Sequence, residues 1–489
     1  MAPQPIHLDF HYDISCPFAY IASLRLPSLQ HRHPTLQINY RPVLLGALYR
    51  ATAAPQGAAG SASDTFNPTK RKVTSAAFPR TLARLGVAYR EPPRHPLKTT
   101  RPLRLLYCVE GPDRVALTAS LYRAYWVERR DVSDLSILKG IVENCDGLSP
   151  ATKERLWSLL ESGEFEGTEQ RKALEQTTDL AVQRGAFGVP ALWIQQEGRL
   201  YWGQDRLHFV EKALFALEKA QGGEEPVLEA LIPRYAPVNQ RRIPDGQEVK
   251  MEFWYDFSSP WAFLGWTQLA RLQRTFGERL KIEMKPFLLG ILFREIGAPN
   301  LPMAAVSEAK RKYSQLDHTD WTRWWNDINQ QNGQPDKNID FYWADIFPIR
   351  TPTVLRAVLV EPRLVETLFR ACWERNQDMS SDDVLHSVIA EAGYDADKIL
   401  EKANSPEIKQ DLRRRTKEAK DTGICGVPSY RIFRRRAGQG EQDWKLASDI
   451  IWGQDEIVVV EDLIAGWDGK SRAVEAEGRG GRQTRNARL

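Results

Sequence analysis

The chain of 489 residues has only five cysteines, Cys16, Cys108, Cys145, Cys372 and Cys425, an odd number at wide spacings with no C-x-x-C pair. That excludes a disulfide framework and a cysteine-based zinc site, and it predicts a reducing compartment and no metal. No apolar run is long enough to cross a bilayer, and Met1 to Leu8 lacks the basic stretch and apolar core of a signal peptide. A soluble, intracellular chain without a membrane span is expected. An excess of charge is missing too. Lys and Arg number 67 against 63 Asp and Glu, a formal balance of +4, and the stretch from Asp468 onward supplies +3 of it with six basic and three acidic residues. A nearly neutral body argues against nucleic acid as a partner. The 15 tryptophans then read as core and pocket lining rather than base-stacking platforms.

What the sequence does have is an internal repeat. Four blocks occur twice in the same order. Phe10-His11-Tyr12-Asp13-Ile14-Ser15-Cys16-Pro17 returns as Phe253-Trp254-Tyr255-Asp256-Phe257-Ser258-Ser259-Pro260. Arg41-Pro42-Val43-Leu44-Leu45-Gly46 returns as Lys285-Pro286-Phe287-Leu288-Leu289-Gly290. Gly188-Val189-Pro190 matches Gly426-Val427-Pro428, and Trp202-Gly203-Gln204-Asp205 matches Trp452-Gly453-Gln454-Asp455. The offset stays between 238 and 250 residues, and an insertion over about 435–449 accounts for the last jump. Four ordered matches with small drifts establish a duplication. It divides the chain into copy 1 (6–220), a Pro-, Gly- and Glu-rich linker (221–248), copy 2 (249–467) and a polar tail (468–489) that is expected to be disordered.

Each copy opens on a short β-rich run followed within a few residues by a proline suited to the first turn of a helix. A second alternating run follows, Leu36 to Val43 or Leu280 to Phe287, so the opening is a parallel βαβ unit. Long helical stretches come next, Asn67 to Gln183 and Leu301 to Asp421. A Val-Pro, two strands and a final helix starting at Gln-Asp close each copy. The order βαβ, helical insert, ββα predicts an α/β protein of two tandem thioredoxin-like domains, each with an all-helical insertion.

Cys16 and Ser259 occupy the same place, the start of the first helix, where backbone N–H groups and the helix dipole favour negative charge. A cysteine there is expected to have a lowered pKa. A serine there is an N-cap, or a donor of its hydroxyl hydrogen to another molecule's thiolate. No second cysteine follows Cys16, so dithiol chemistry is not expected. Pro190 and Pro428 stand where this fold places a cis proline, which would leave the preceding residue free to pair with an extended thiol peptide. Gln204-Asp205 and Gln454-Asp455 open the last helix, where a carboxylate caps the turn or binds a ligand ammonium.

Together the four blocks resemble the kappa-class glutathione transferases and 2-hydroxychromene-2-carboxylate isomerases, relatives of the Dsb-type oxidoreductases. The resemblance implies that glutathione is the cofactor and that Ser259 holds its thiolate. It implies that Val427, before Pro428, pairs with the tripeptide backbone and that Asp455, beside Gln454, takes the γ-glutamyl end. Cys16, Val189, Pro190, Gln204 and Asp205 are the copy 1 counterparts. It also implies a Lys, Tyr, Asp pattern in the insert, present as Lys310, Tyr313 and Asp317 in copy 2, where copy 1 reads Lys70, Val73 and Ala77.

The expected activity is therefore a glutathione-dependent transferase or isomerase acting on a small aromatic or conjugated electrophile. Two competitors stand beside it: a monothiol oxidoreductase using Cys16, and a binding or scaffold protein with decayed sites. Ala487-Arg488-Leu489 fits the small-basic-Leu address read by the peroxisomal import receptor, so peroxisome or cytoplasm is the expected location.

Overall fold

Two β-α-β openings, each with a helical insert and a ββα close, appear in the computed structural model of the chain. It describes residues 4–57, 60–220, 222–223 and 225–472. The terminal tripeptide lies outside these.

In copy 1, β1 (Ile6–Tyr12), α1 (Pro17–Arg32) and β2 (Leu36–Pro42) form the opening and are followed by α2 (Leu45–Ala51) and α3 (Pro68–Leu85). The insert continues through α4 (Thr100–Leu106), α5 (Gly111–Trp126), α6 (Leu135–Glu143), α7 (Pro150–Ser162) and α8 (Thr168–Gln183). Then come β3 (Ala191–Ile194), β4 (Arg199–Trp202) and α9 (Leu207–Lys219). The sheet order is β2-β1-β3-β4, with β1 parallel to β2 and antiparallel to β3. Pro17 and the extended backbone of Cys16 begin α1 where the strand ends, because proline costs nothing at a position whose N–H has no helical partner.

Copy 2 repeats this plan. It comprises β5 (Gln247–Tyr255), α10 (Pro260–Thr267), α11 (Leu269–Phe276), β6 (Leu280–Pro286), α12 (Leu289–Glu295) and α13 (Glu308–Gln331), then α14 (Pro352–Val360), α15 (Val365–Trp373), α16 (Asp382–Glu391), α17 (Ala396–Ala403) and α18 (Pro406–Thr422). It closes with β7 (Ser429–Arg436), β8 (Lys445–Leu446), β9 (Ile451–Trp452) and α19 (Ile457–Ile464). The sheet runs β6-β5-β7-β8, with β9 pairing the start of β7. The insertion seen in the sequence is the hairpin that carries β8.

The chain divides into two compact units, and the division does not follow chain order. Unit 1 comprises Met1–Thr65, Val87–Leu231 and Val306–Gln315. Unit 2 comprises Phe66–Gly86, Ile232–Ala305 and Leu316–Leu489. Helix α3 of copy 1 thus belongs to unit 2, and the first turns of α13 belong to unit 1. The expectation that each copy keeps its whole insert is corrected on this point. The second part of the linker is also built into unit 2. Ile243 is fully buried and Arg234 nearly so, and the guanidiniums of Arg234, Arg241 and Arg271 all bond the buried carboxylate of Glu461.

Candidate functional site

The four blocks interlock in pairs, which is the physical reason they travel together. Asp256 is buried and accepts hydrogen bonds from Ser258 N at 3.0 Å, Leu289 N at 2.9 Å and Thr351 Oγ1 at 2.8 Å. It ties the helix-start loop to the Leu-Leu-Gly block. Asp13 does the same in copy 1, accepting from Ser15 N and Leu45 N. Burial pushes both carboxyls up, opposed by those donors. The other pair meets at a glycine. A side chain on Gly426 would lie 2.7 Å from Trp452 Nε1, and one on Gly188 would lie 3.0 Å from Trp202 Nε1. The indole of the fourth block therefore packs on the bare backbone of the third. Gly426→Ala is expected to displace Trp452 and lower stability by about 1–3 kcal/mol, readable as a shifted urea midpoint with altered tryptophan fluorescence. An unchanged midpoint would sink this account.

At the two helix starts the chemistry diverges. Cys16 is 6% exposed, and its thiol donates to Val189 O at 3.1 Å. Burial pushes the thiol up to about 12, against the pull of the Ala19 and Phe18 amides. The expectation of a lowered pKa is thus overturned: loss of hydration outweighs the helix start. Ser259 is equally shielded, at 8% exposed. Its Oγ caps α10 by accepting from Ala262 N at 3.2 Å, so the N-cap reading holds. Capping uses a lone pair and leaves the hydroxyl hydrogen, for which no acceptor occurs among the described residues.

Val189-Pro190 and Val427-Pro428 are both cis peptides. Neither valine donates its N–H to a protein acceptor among the described residues, so each presents an open backbone donor beside the helix start. Both glutamines have partners within the protein. Gln204 accepts from Arg25 Nη1 through its backbone O at 2.6 Å and its Oε1 at 3.0 Å. Gln454 is 1% exposed and accepts from Trp325 Nε1. The Gln454 Nε2 is buried without a hydrogen-bond partner among the described residues. Asp205 and Asp455 fold back over Gly203 and Gly453, where a Cβ would meet Asp Oδ1 at 2.3 Å and where φ is +108° and +112°. Only glycine tolerates that backbone and that contact. Asp205 is paired with Arg206 at 2.5 Å, whereas position 456 holds a glutamate.

The insert pattern is split between the units. Lys310 and Tyr313 lie in unit 1 and Asp317 in unit 2. Lys310 Nζ stands 5.3 Å from the Trp202 ring. The Tyr313 hydroxyl accepts from Trp202 N at 2.9 Å, and its ring packs on Phe187 and Trp202 at 5.5 and 6.2 Å. The placement of Lys310 beside Ser259 is therefore corrected: it belongs with the Cys16 loops. The residue over Trp452 is Lys70, with Nζ 5.2 Å from the ring.

The sequence reading passed over His318. Its Nε2 donates to Pro260 O at 3.2 Å, and burial pulls its pKa down to about 3, so it is neutral. Its ring touches Trp261 at 4.9 Å, Phe341 at 4.0 Å and Trp343 at 5.0 Å. An aromatic wall thus runs from the residue after Ser259-Pro260 to a surface where Tyr342, Trp343 and Phe347 are exposed. Copy 1 has Tyr89-Arg90-Glu91-Pro92-Pro93-Arg94 in the corresponding stretch. Among the described residues no cluster of three His, Cys, Asp or Glu could hold a metal ion.

The family model of the DSBA-like thioredoxin domain matches residues 7–215 and 250–465. A 2-hydroxychromene-2-carboxylate isomerase of Sphingobium xenophagum is 28% identical over 212 residues, 42% of this chain and 97% of that protein. Glutathione S-transferase kappa 2 of Caenorhabditis elegans is 25% identical over 228 residues, 46% of this chain and 94% of that one. A solved 2-hydroxychromene-2-carboxylate isomerase is 21% identical, with a TM-score of 0.37, over 44% of this chain and 98% of its own.

Proposed function

The chain belongs to the DSBA-like thioredoxin domain family, with the domain present twice, and from that premise we propose a glutathione-dependent transferase or isomerase that works at Ser259. The observation that carries this reading is the Ser259 hydroxyl. It is held at a helix start by Ala262 N with its own hydrogen uncommitted, on the same loops as the open N–H of Val427.

Glutathione would pair its cysteine backbone with Val427 and set its γ-glutamyl ammonium toward Asp455. Its thiol proton passes to solvent, and the thiolate accepts the Ser259 hydrogen, aided by the partial positive charge of α10. The sulfur lone pair then forms a C–S bond to one end of a conjugated double bond, whose π electron pair moves to the far end of the conjugated system and takes a proton from solvent when the adduct is released. A transferase releases that adduct. An isomerase breaks the C–S bond again after rotation, and the electron pair returns to sulfur. The aromatic wall from Trp261 to Trp343 supports a planar aromatic or conjugated partner, which stacks on such rings. The named relatives are a chromene-carboxylate isomerase and a kappa-class transferase, in keeping with either outcome.

The oxidoreductase alternative loses its support in the buried, neutral thiol of Cys16. Calorimetric titration of the full chain with reduced glutathione tests the proposal. Saturable binding is expected, and no heat at millimolar ligand would overturn it in favour of a scaffold.

A further inference from the structure

The loops 89–96 and 341–348 share one backbone frame, and on it the two copies carry opposite surfaces. Arg90 N donates to Trp126 O at 2.7 Å and Tyr342 N to Trp373 O at 2.6 Å. The rings just before them, Tyr89 and Phe341, stack on the same tryptophans at 5.5 and 5.9 Å, and each loop ends on a proline, Pro96 or Pro348. These anchors set the register. Arg90, Glu91, Arg94 and His95 are exposed in copy 1, and the positions that match them hold Tyr342, Trp343, Ile346 and Phe347. These four are 46, 38, 52 and 51% exposed. The frame accepts a charged or polar residue at every one of these positions, so nothing in the fold requires large apolar side chains there.

The copy 2 loop is braced from behind. Asp345 N donates to Asn376 Oδ1 at 3.0 Å, and the Asp345 carboxylate accepts from Asn376 Nδ2 at 2.7 Å and from the Tyr342 hydroxyl at 3.2 Å. Arg350 N donates to Ser380 Oγ at 2.9 Å. Trp343 rests on His318 at 5.0 Å and Phe347 on Trp373 at 6.3 Å, which leaves part of each ring open to solvent. At these exposures the four side chains present roughly 400 Å² of surface, about half of what each partner of a standard protein interface buries. The segment's charges are two carboxylates, Asp340 and Asp345, and one guanidinium, Arg350. A two-fold contact between copies of the chain would set those carboxylates against their own equivalents. An anionic lipid surface is recognised by clustered Lys and Arg, and this segment has a single cation. Tyr and Trp among apolar neighbours suit a neutral lipid boundary, where the ring enters and the hydroxyl or indole N–H stays wet.

We infer that the loop 340–350 of copy 2 docks on a neutral, zwitterionic lipid surface through Tyr342, Trp343, Ile346 and Phe347. The docking is peripheral, since no helix among the described residues is long and apolar enough to cross a membrane. The matching loop of copy 1, with Arg90, Glu91, Arg94 and His95 outward, stays in water. The inference does not depend on the chemistry proposed for Ser259.

The test is flotation of the full chain with phosphatidylcholine vesicles, with and without phosphatidylserine, for wild type, Ile346→Arg/Phe347→His, Trp343→Phe and Leu446→Arg. The double change writes copy 1's residues onto the same frame and should leave the melting temperature unchanged while lowering the partition coefficient roughly tenfold or more. Leu446, 54% exposed on the hairpin of β8, controls for the loss of any exposed apolar side chain, and Leu446→Arg should bind as wild type does. Binding should be no stronger with phosphatidylserine and insensitive to salt. Phosphatidylcholine brominated on its acyl chains should quench part of the tryptophan emission of wild type, and Trp343→Phe should float yet lose that quenching. Failure of folded wild type to float, an equal loss in Leu446→Arg, a requirement for phosphatidylserine, or unchanged quenching in Trp343→Phe would overturn the inference. A wild type that sediments as a dimer, with Ile346→Arg/Phe347→His as a monomer, would overturn it as well, because the loop would then serve a second copy of the chain. If the double change unfolds the protein, the quenching comparison decides alone.

Discussion

Ser259→Ala is expected to lower kcat/KM with glutathione and an electrophilic substrate by about 10²–10³, the usual cost of removing one preorganised donor to a developing or resident anion. The effect should appear chiefly as a raised pKa of the bound thiol, measured by the ultraviolet absorbance of the thiolate across pH. The hydroxyl also caps α10 through Ala262 N, and an N-cap Ser→Ala change costs about 1 kcal/mol of stability. Ser259→Gly separates the roles, because glycine costs a cap only a few tenths of a kcal/mol. Both variants should lose the thiolate equally. Ser259→Thr, which keeps a hydroxyl, should retain most of it. If the glycine variant kept a normal thiol pKa, Ser259 would be a cap and nothing more. Residual activity is expected in every variant, since the start of α10 and the Val427 amide remain.

The second large effect is on stability. Glu461→Gln should destabilise the protein by about 3–5 kcal/mol, because the carboxylate is fully buried and bonded to Arg234, Arg241 and Arg271, and removing it strands buried cations. A fall in Tm on the order of 10 °C follows for a unit of this size. These arginines hold Glu461 well below the usual carboxylate range, in spite of burial. A depressed native pKa gives a contribution that is present above the unfolded pKa, about 4.3, and lost as pH falls toward the native one. The gap between wild type and Glu461→Gln should therefore narrow progressively below about pH 4. A constant gap would mean that the charge is not what Glu461 contributes. In copy 1 the counterpart Glu211 meets Arg32 and His33, so the three-arginine cluster belongs to unit 2 alone. Two of its members come from the linker, which pins that segment.

Local chemistry made much of this legible in the sequence. The helix starts at Pro17 and Pro260, the cis peptides before Pro190 and Pro428, and the strands that flank them depend on turn and cap residues a few positions apart. The four blocks carry those residues intact in both copies. The blocks also recur because they touch: Asp256 needs the Leu289 amide, and Trp452 needs the bare backbone of Gly426. What was misread was electrostatic. A helix start at Cys16 suggested a thiolate, but how much water reaches the sulfur depends on what the rest of unit 1 packs over it. His318 left no signal at all, since a single histidine in a helix says nothing about a carbonyl 58 residues earlier.

By itself, the sequence determined the duplication, the thioredoxin-like order of elements and the positions of Ser259, Val427 and Asp455. Each follows from short-range rules of strand, turn and cap. Only the tertiary structure decided which lysine stands over the Trp452 indole of copy 2. Spacing grouped Lys310 with it because both stand in copy 2, yet Lys310 rests on Trp202 and Lys70 on Trp452. Helix periodicity determines which residues share a face, and α3 and α13 show that face plainly. It does not determine what the face meets. That depends on burial between segments hundreds of residues apart, as where Lys70 meets the Trp452 ring.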